Sequence, residues 1–261
     1  MVKVSLDNIR FSYHSDQVLK GVSFDIDDGN VLCLVGPNGS GKTTLVRCID
    51  RILDPEGSVF LDGMDIRDMH RSTIAKNIGY VPQAGTRIAA ASVFEVVMMG
   101  RTPHMGWSTS EEDIDWTEKA IHFLGIEQLA DREYNELSGG QQQKVLIARA
   151  VAQNPKVLLL DEPTNSLDIR HQLEALSIIH HLSRETGITI IMAVHDLTLA
   201  ARYADQLMML KKGQLVAFGT PDELITTERI KDVYGVESKI FRDTDAGLIV
   251  TPLKPVSEIT A

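Results

Sequence analysis

Eight residues, GPNGSGKT at Gly36–Thr43, carry the spacing of a phosphate loop: a glycine, four residues, then glycine, lysine and a hydroxyl. Gly36, Gly39 and Gly41 let backbone amides converge on phosphate oxygens. Pro37, Asn38 and Ser40 complete the loop, and the helix that continues through Thr44 turns its positive end toward the same anion. Lys42 can reach the β and γ phosphates of a nucleotide, and Thr43 supplies a hydroxyl for Mg2+. Far downstream, VLLLDEP ends in two adjacent acids, Asp161 and Glu162. A carboxylate where a buried strand emerges beside a phosphate loop complements magnesium, which suits Asp161. Its neighbour Glu162 is placed to orient and polarise an attacking water.

Two more residues belong to this edge if the sheet is parallel. His195 ends the apolar run ITIIMAV and would bring its imidazole to the terminal phosphate. Gln83, after IGYV, would contact metal or water, or be an ordinary loop residue. The stretch LSGGQQQKV at Leu137–Val145 poses a different problem. Ser138 reads as a helix cap, and Gly139, Gly140 and Gln141 open a second anion-receptive loop in a chain that already has one.

The elements that must position these residues follow from periodicity. Residues 2–30 alternate as short antiparallel strands. VLCLV, KVLLLD, ITIIMAV and QLMML are continuous apolar runs separated by helical patterns, the mark of strands buried on both faces of a parallel sheet. TTLVRCIDRIL reads as a helix, Asp62-Gly63 as a hairpin turn, and residues 84 to about 154 as a helical insertion. Thr220-Pro221-Asp222-Glu223 starts a C-terminal helix. Beyond Ser238 only a short strand pair around Ala246-Gly247 is suggested.

Bulk properties exclude several classes. A formal charge of -10 disfavours nonspecific nucleic-acid or anionic-lipid binding, so no nucleic-acid partner is expected. The chain carries no apolar run long enough to span a bilayer and no signal-peptide layout at its N-terminus, which points to the cytoplasm. Cys33 and Cys48, the two cysteines, sit in apolar segments and read as small buried hydrophobes rather than a disulfide or metal pair.

GPNGSGKT, the glutamine of YVPQ, LSGGQ, VLLLDEP, the NSLD at Asn165–Asp168 and the histidine of AVHD occur in the order found in ATP-binding cassette (ABC) proteins, which the chain resembles from residue 2 to about 235. The resemblance implies an α/β fold: a P-loop NTPase (RecA-like) core with an N-terminal antiparallel β subdomain and an inserted helical subdomain carrying the signature loop. The cassette should span residues 1–240, with the core and β subdomain at about 1–88 and 156–240, the helical lobe at 89–155, and a tail at 241–261. It implies ATP and Mg2+ as cofactors and a head-to-tail homodimer with ATP between the phosphate loop of one subunit and LSGGQ of the other. Ser138, Gly139, Gly140 and Gln141 would then act on a partner's nucleotide, Asp168 would sit at the shared interface, and Tyr13 would stack on adenine.

Within the family, YVPQAGTRIAAASVFEVVMMGRTPHMGW at 80–107 is most similar to importers of iron siderophores, haem and vitamin B12. That resemblance implies transmembrane permease partners, a substrate-binding protein acting indirectly, and a place at the cytoplasmic face of the membrane. Met98, Met99 and Trp107 offer adaptable surface to the permease, whereas Val97 suits the core of the helical lobe, and His104 with Met105 is not expected to bind haem or metal. The competing expectations are another importer, such as a molybdate or tungstate type, an exporter, or an ABC ATPase not coupled to transport.

Overall fold

Alternating burial turns the first segment into β1 (Val4–Tyr13) and β2 (Asp16–Ile26), an antiparallel pair with Val4, Leu6 and Ile9 facing inward. The computed structural model describes residues 4–83, 90–165 and 167–256. The chain then enters the interior as β3 (Val31–Val35), passes the glycine loop and forms α1 (Lys42–Ile49). This helix stops short of the expected Leu53. Arg51 takes a left-handed conformation (φ 54°) because its guanidinium donates to the carbonyls of Ile66 and Met69 at 3.0 and 3.1 Å, contacts that a continuing helix would forfeit.

β4 (Glu56–Leu61) and β5 (Met64–Asp65) form the expected hairpin, with Asp62 and Gly63 both at positive φ (54° and 78°), as a type I′ turn demands. α2 (Arg71–Asn77) leads into β6 (Ile78–Val81). The described part of the insertion holds α3 (Val93–Met98), α4 (Glu111–Phe123) and α5 (Gly139–Ala152), each opened by a serine capping box. Alternation resumes with β7 (Val157–Asp161), α6 (Ile169–Thr186), β8 (Thr189–Ala193), α7 (Leu197–Tyr203), β9 (Gln206–Lys211) and β10 (Gln214–Gly219).

The C-terminal helix is interrupted. α8 (Pro221–Leu224) ends after one turn, and Thr226 caps a second start, α9 (Thr227–Tyr234). The strand pair is longer than the sequence suggests: β11 (Val236–Asp243) pairs with β12 (Gly247–Pro255), which packs on α7, and Thr198 Oγ1 accepts from the Val250 amide at 3.1 Å.

One sheet runs β2-β1-β4-β5; the central one runs β10-β9-β3-β8-β7-β6 and is parallel except at its β10 edge. Both faces of the central sheet are buried. Val31, Cys33 and Val35 face the core shared with α5, α6 and α7, while Leu32 and Leu34 face α1 and the antiparallel sheet. Burial pushes the thiols of Cys33 and Cys48 up, which leaves them inert packing residues. Among the described residues no helix is long and apolar enough to cross a membrane.

Residues 93–104 of the stretch that resembles chelate importers mostly build the helical lobe. Val93 and Val97 are fully buried, Glu95 closes the α3 capping box, and a side chain at Gly100 would collide with the Arg149 carbonyl. Arg101 Nε donates to Asp113 Oδ1 at 3.1 Å, its Nη1 donates to the Ala152 carbonyl at 2.9 Å, and both members of the pair are buried. His104 Nε2 lies 2.9 Å from the Gln153 carbonyl. Asp113 is held below the usual carboxylate range, first by hydrogen bonds from the Ser110 hydroxyl and amide, then by Arg101.

Replacing Arg101 with alanine strands a buried carboxylate, so Arg101→Ala is expected to lower stability by about 3–5 kcal/mol in urea titrations. A lowered carboxylate adds stability above its unfolded value that is lost as pH falls through the folded one. The helical lobe should therefore be where hydrogen exchange first accelerates in acid; exchange rising first in β3 or β7 would refute this.

Candidate active site

Parallel register carries several strand ends to one edge. Leu34 of β3 and Asp161 of β7 both pair with Ala193 of β8, and Val81 of β6 pairs with Leu160. The phosphate loop, Glu162, His195 and Gln83 follow these strands directly, and all of them line one cavity of about 790 Å³. Tyr13, Asn38, Gly39, Ser40, Gly41, Lys42, Thr43 and Thr44 complete most of its wall.

Gly36, Gly39 and Gly41 have φ of 149°, 75° and 103°, values that side chains resist, and so the loop can curl its amides inward. Gly41 caps α1 without a side-chain acceptor, and no acid occupies the first turn. The helix amides and dipole are therefore left for an anion. Lys42 Nζ donates to the carbonyls of Gly36 and Pro37 at 2.8 and 3.2 Å. Burial lowers its pKa, opposed by Glu162 and then Asp161. Held across its own loop, the lysine is poised for a phosphate that would restore a charge partner.

Behind it, Thr43 Oγ1 donates to Asp161 Oδ1 at 2.8 Å. Asp161 is fully buried, and burial raises its pKa against the opposing Thr43 hydrogen bond. Its Oδ2 makes no hydrogen bond of regular geometry, although the Tyr80 hydroxyl and Arg47 lie nearby. An acid with one orphaned, desolvated oxygen fits a cation.

Glu162 occupies a left-handed backbone conformation (φ 53°), uncommon for a side-chain-bearing residue and typical of functional strain. Three side chains hold its carboxylate. His195 Nε2 lies 2.5 Å from Oε1, while Gln83 Nε2 and Asn165 Nδ2 donate to Oε2 at 2.8 and 3.2 Å. Gln83 thus lines the cavity and meets Glu162 through its amide nitrogen. Tyr13 sits half-exposed at the cavity wall, its ring edge-on to Phe11 with centroids 4.9 Å apart.

Sequence reasoning missed Asn165 as a site residue, although NSLD flagged its segment, and missed Val18, whose only signal was strand alternation. Ser138, Gly139, Gly140, Gln141 and Asp168 do not line the cavity. Ser138 caps α5: its Oγ accepts from the Gln141 amide at 3.4 Å, and its own amide donates to Gln141 Oε1 at 3.1 Å. The Gly139 and Gly140 amides remain for an anion, and the Ser138 hydroxyl, which only accepts in the cap, keeps its proton to donate. Asp168 caps α6, accepting from the His171 amide at 2.9 Å.

The family model described as ABC transporter matches residues 19–165. An uncharacterized ABC transporter ATP-binding protein of Methanocaldococcus jannaschii is 45% identical over 91% of this chain and 93% of its own. The ferric enterobactin transport ATP-binding protein of Escherichia coli is 39% identical over 98% and 96%. Among solved structures, a chain of a transporter described as metal-chelate type, in an inward-facing conformation, superimposes with TM-score 0.84 at 28% identity, covering 99% of each chain. A bacterial ABC transporter cassette solved as a dimer gives TM-score 0.75 at 30% identity over 84% of this chain and 98% of its own. With its phosphate loop, paired acids and signature loop in place, the chain belongs to the ABC transporter family and is one of its ATPase cassettes.

Proposed function

We propose that the chain is the ATP-hydrolysing subunit of an importer that draws a metal chelate, of the iron-siderophore, haem or cobalamin class, through separate transmembrane subunits at the cytoplasmic face of the membrane. The observation that carries the catalytic half is the fixed Glu162 carboxylate at the wall of a cavity built by the phosphate loop. Its strained backbone and three side-chain partners aim one carboxylate at the space where a γ-phosphate would end. There it orients and deprotonates water, with His195 steadying the carboxylate and the developing charge. Lys42 leaves its loop carbonyls for the β and γ phosphates, the loop amides with Ser40 and Thr44 hold the rest, and Tyr13 stacks on the base.

Thr43, Asp161 and the Gln83 oxygen would hold Mg2+, which when bound supplies charge neutralisation on the phosphates. The orphaned Asp161 oxygen supports that assignment.

The second half of the site comes from another copy. Ser138, Gly139, Gly140 and Gln141 stand outside this chain's own cavity at the head of α5, whose first turn holds no acid. An anion supplied in trans satisfies both facts, and Asp168 would meet the partner beside it. ATP thus closes a homodimer and hydrolysis reopens it.

Permease docking is supported by exposed Trp107 and by half-exposed Met99, which lines a groove of about 310 Å³. Asp50, Tyr80, Met99, Pro103 and Arg149 help line that groove, and burial raises Asp50 to about 7. Residues 84–89 of the importer-like stretch lie outside the described residues. The cargo class is supported by the ferric enterobactin relative and by the metal-chelate type transporter structure.

Mixing inactive Lys42→Ala with inactive Ser138→Arg should recover ATPase activity, since one intact composite site forms in the mixed dimer; absence of rescue at saturating ATP would count against sharing. Asp161→Asn removes a desolvated charge, so it should melt at a higher temperature than the parent without nucleotide, yet gain nothing from Mg-ATP. A lower melting temperature would contradict the stated origin of the raised pKa. Deleting the gene in its host should abolish uptake of radiolabelled ferric siderophore, haem or cobalamin, and unchanged uptake of all three would exclude the chelate assignment.

A further inference from the structure

The two glycines of the signature loop differ in their surroundings. Gly139 is exposed, and a side chain there would meet nothing within 4 Å. Gly140 is buried, and a β-carbon would stand 2.6 Å from Cδ2 and 2.7 Å from Cγ of His171. The His171 imidazole therefore packs directly against the second glycine, in the space a side chain would need. Its other edge is fixed, because His171 Nδ1 is 2.8 Å from Asp168 Oδ1, the same oxygen that caps α6. An Nδ1–H donated to that carboxylate sets the ring plane.

His171 thus bridges two segments that lie far apart in sequence: the loop after the catalytic acid, ending at Asp168, and the signature loop at the head of α5. The bridge has firm footings. Gln172 Nε2 donates to the carbonyls of Thr164 and Leu167 at 3.3 and 3.0 Å, tying the acid loop to the first turn of α6. A turn deeper, Glu174 joins Lys144 of α5 and Arg170 of α6, each at 2.8 Å, which holds its carboxyl down at about 2. Above that tether, ring-on-glycine packing is the contact that sets how far the Gly139 and Gly140 amides stand from Asp168.

We propose that His171 is a positioning residue: it locks the signature loop and Asp168 into one rigid unit, so that everything this chain presents to a partner's ATP arrives together. The proposal rests on the shared-site reading above. Its physical content is preorganisation. With the ring in place the two glycine amides and the interface aspartate need no ordering when the dimer closes, and without it each must be ordered at that moment.

The experiment uses the full chain in a Glu162→Gln background, with the ATP concentration for half-maximal dimerisation read by analytical ultracentrifugation. His171→Ala should need about tenfold more ATP, within the range of measured couplings between touching residues. ADP binding to the single chain uses only its own phosphate loop and should be unchanged. Gly140→Ala forces its methyl into the ring; adding His171→Ala in the same chain should recover part of the lost dimerisation, because the ring atoms nearest the methyl are then gone. An unshifted ATP requirement in His171→Ala, loss of its ADP binding, or strictly additive effects in the Gly140→Ala/His171→Ala chain would each overturn the positioning role. Should the Glu162→Gln parent itself fail to dimerise with ATP, the shared-site reading falls, and the proposal with it.

Discussion

Everything in the catalytic half depends on parallel strand register. β6, β7, β8 and β3 run side by side in one direction, so the residues that follow them reach one edge with no further instruction. Asp161 and Glu162 exploit that edge in opposite ways. The first is the last residue of a fully buried strand and keeps an orphaned oxygen; the second breaks into a left-handed conformation that turns its carboxylate into the cavity. A strand continuing regularly through Glu162 would send successive side chains to opposite faces, separating the metal-facing acid from the water-facing one.

The same economy governs charge. α4 fills its first turn with Glu111, Glu112 and Asp113, as an ordinary surface helix does to complement its dipole. α1 and α5 carry no acid there, as α2, α6 and α7 do not, and what sets the two apart is the glycine-rich loop at which each begins. Their unneutralised amino ends are separated by the fold, one inside the cavity and one outside it. That separation is the structural form of half a site.

Legibility in the sequence followed how local each constraint was. Strands β3, β7, β8 and β9 were readable because burial on both faces demands uninterrupted apolar runs, and the hairpin at Asp62-Gly63 because its turn demands residues that accept positive φ. The ends of α1 and of the C-terminal helix were not readable, since Arg51 is diverted by carbonyls of Ile66 and Met69 and the chain after Leu224 restarts on a new cap. The importer-like stretch was legible mainly as a resemblance: Val97 read as core and is buried, whereas the roles of Arg101 and His104 in holding the helical lobe together were not foreseen, and Met99 and Trp107 are left for other surfaces.

The site divides along the same line. Phosphate loop, acids and signature loop announce themselves through residue type and spacing, because amides that gather phosphates need glycine and metals need carboxylates wherever they occur. What the sequence alone determined is therefore the inventory of groups, their chemistry and the sheet that would gather them. Tertiary structure decided the partnerships: Asn165 and Gln83 on Glu162, His195 at 2.5 Å from the same carboxylate, His171 wedged between Asp168 and Gly140, and a signature loop left outside its own chain's cavity. Those depend on side chains from distant segments meeting at hydrogen-bond range, a condition set by packing in three dimensions that no local pattern of residues records.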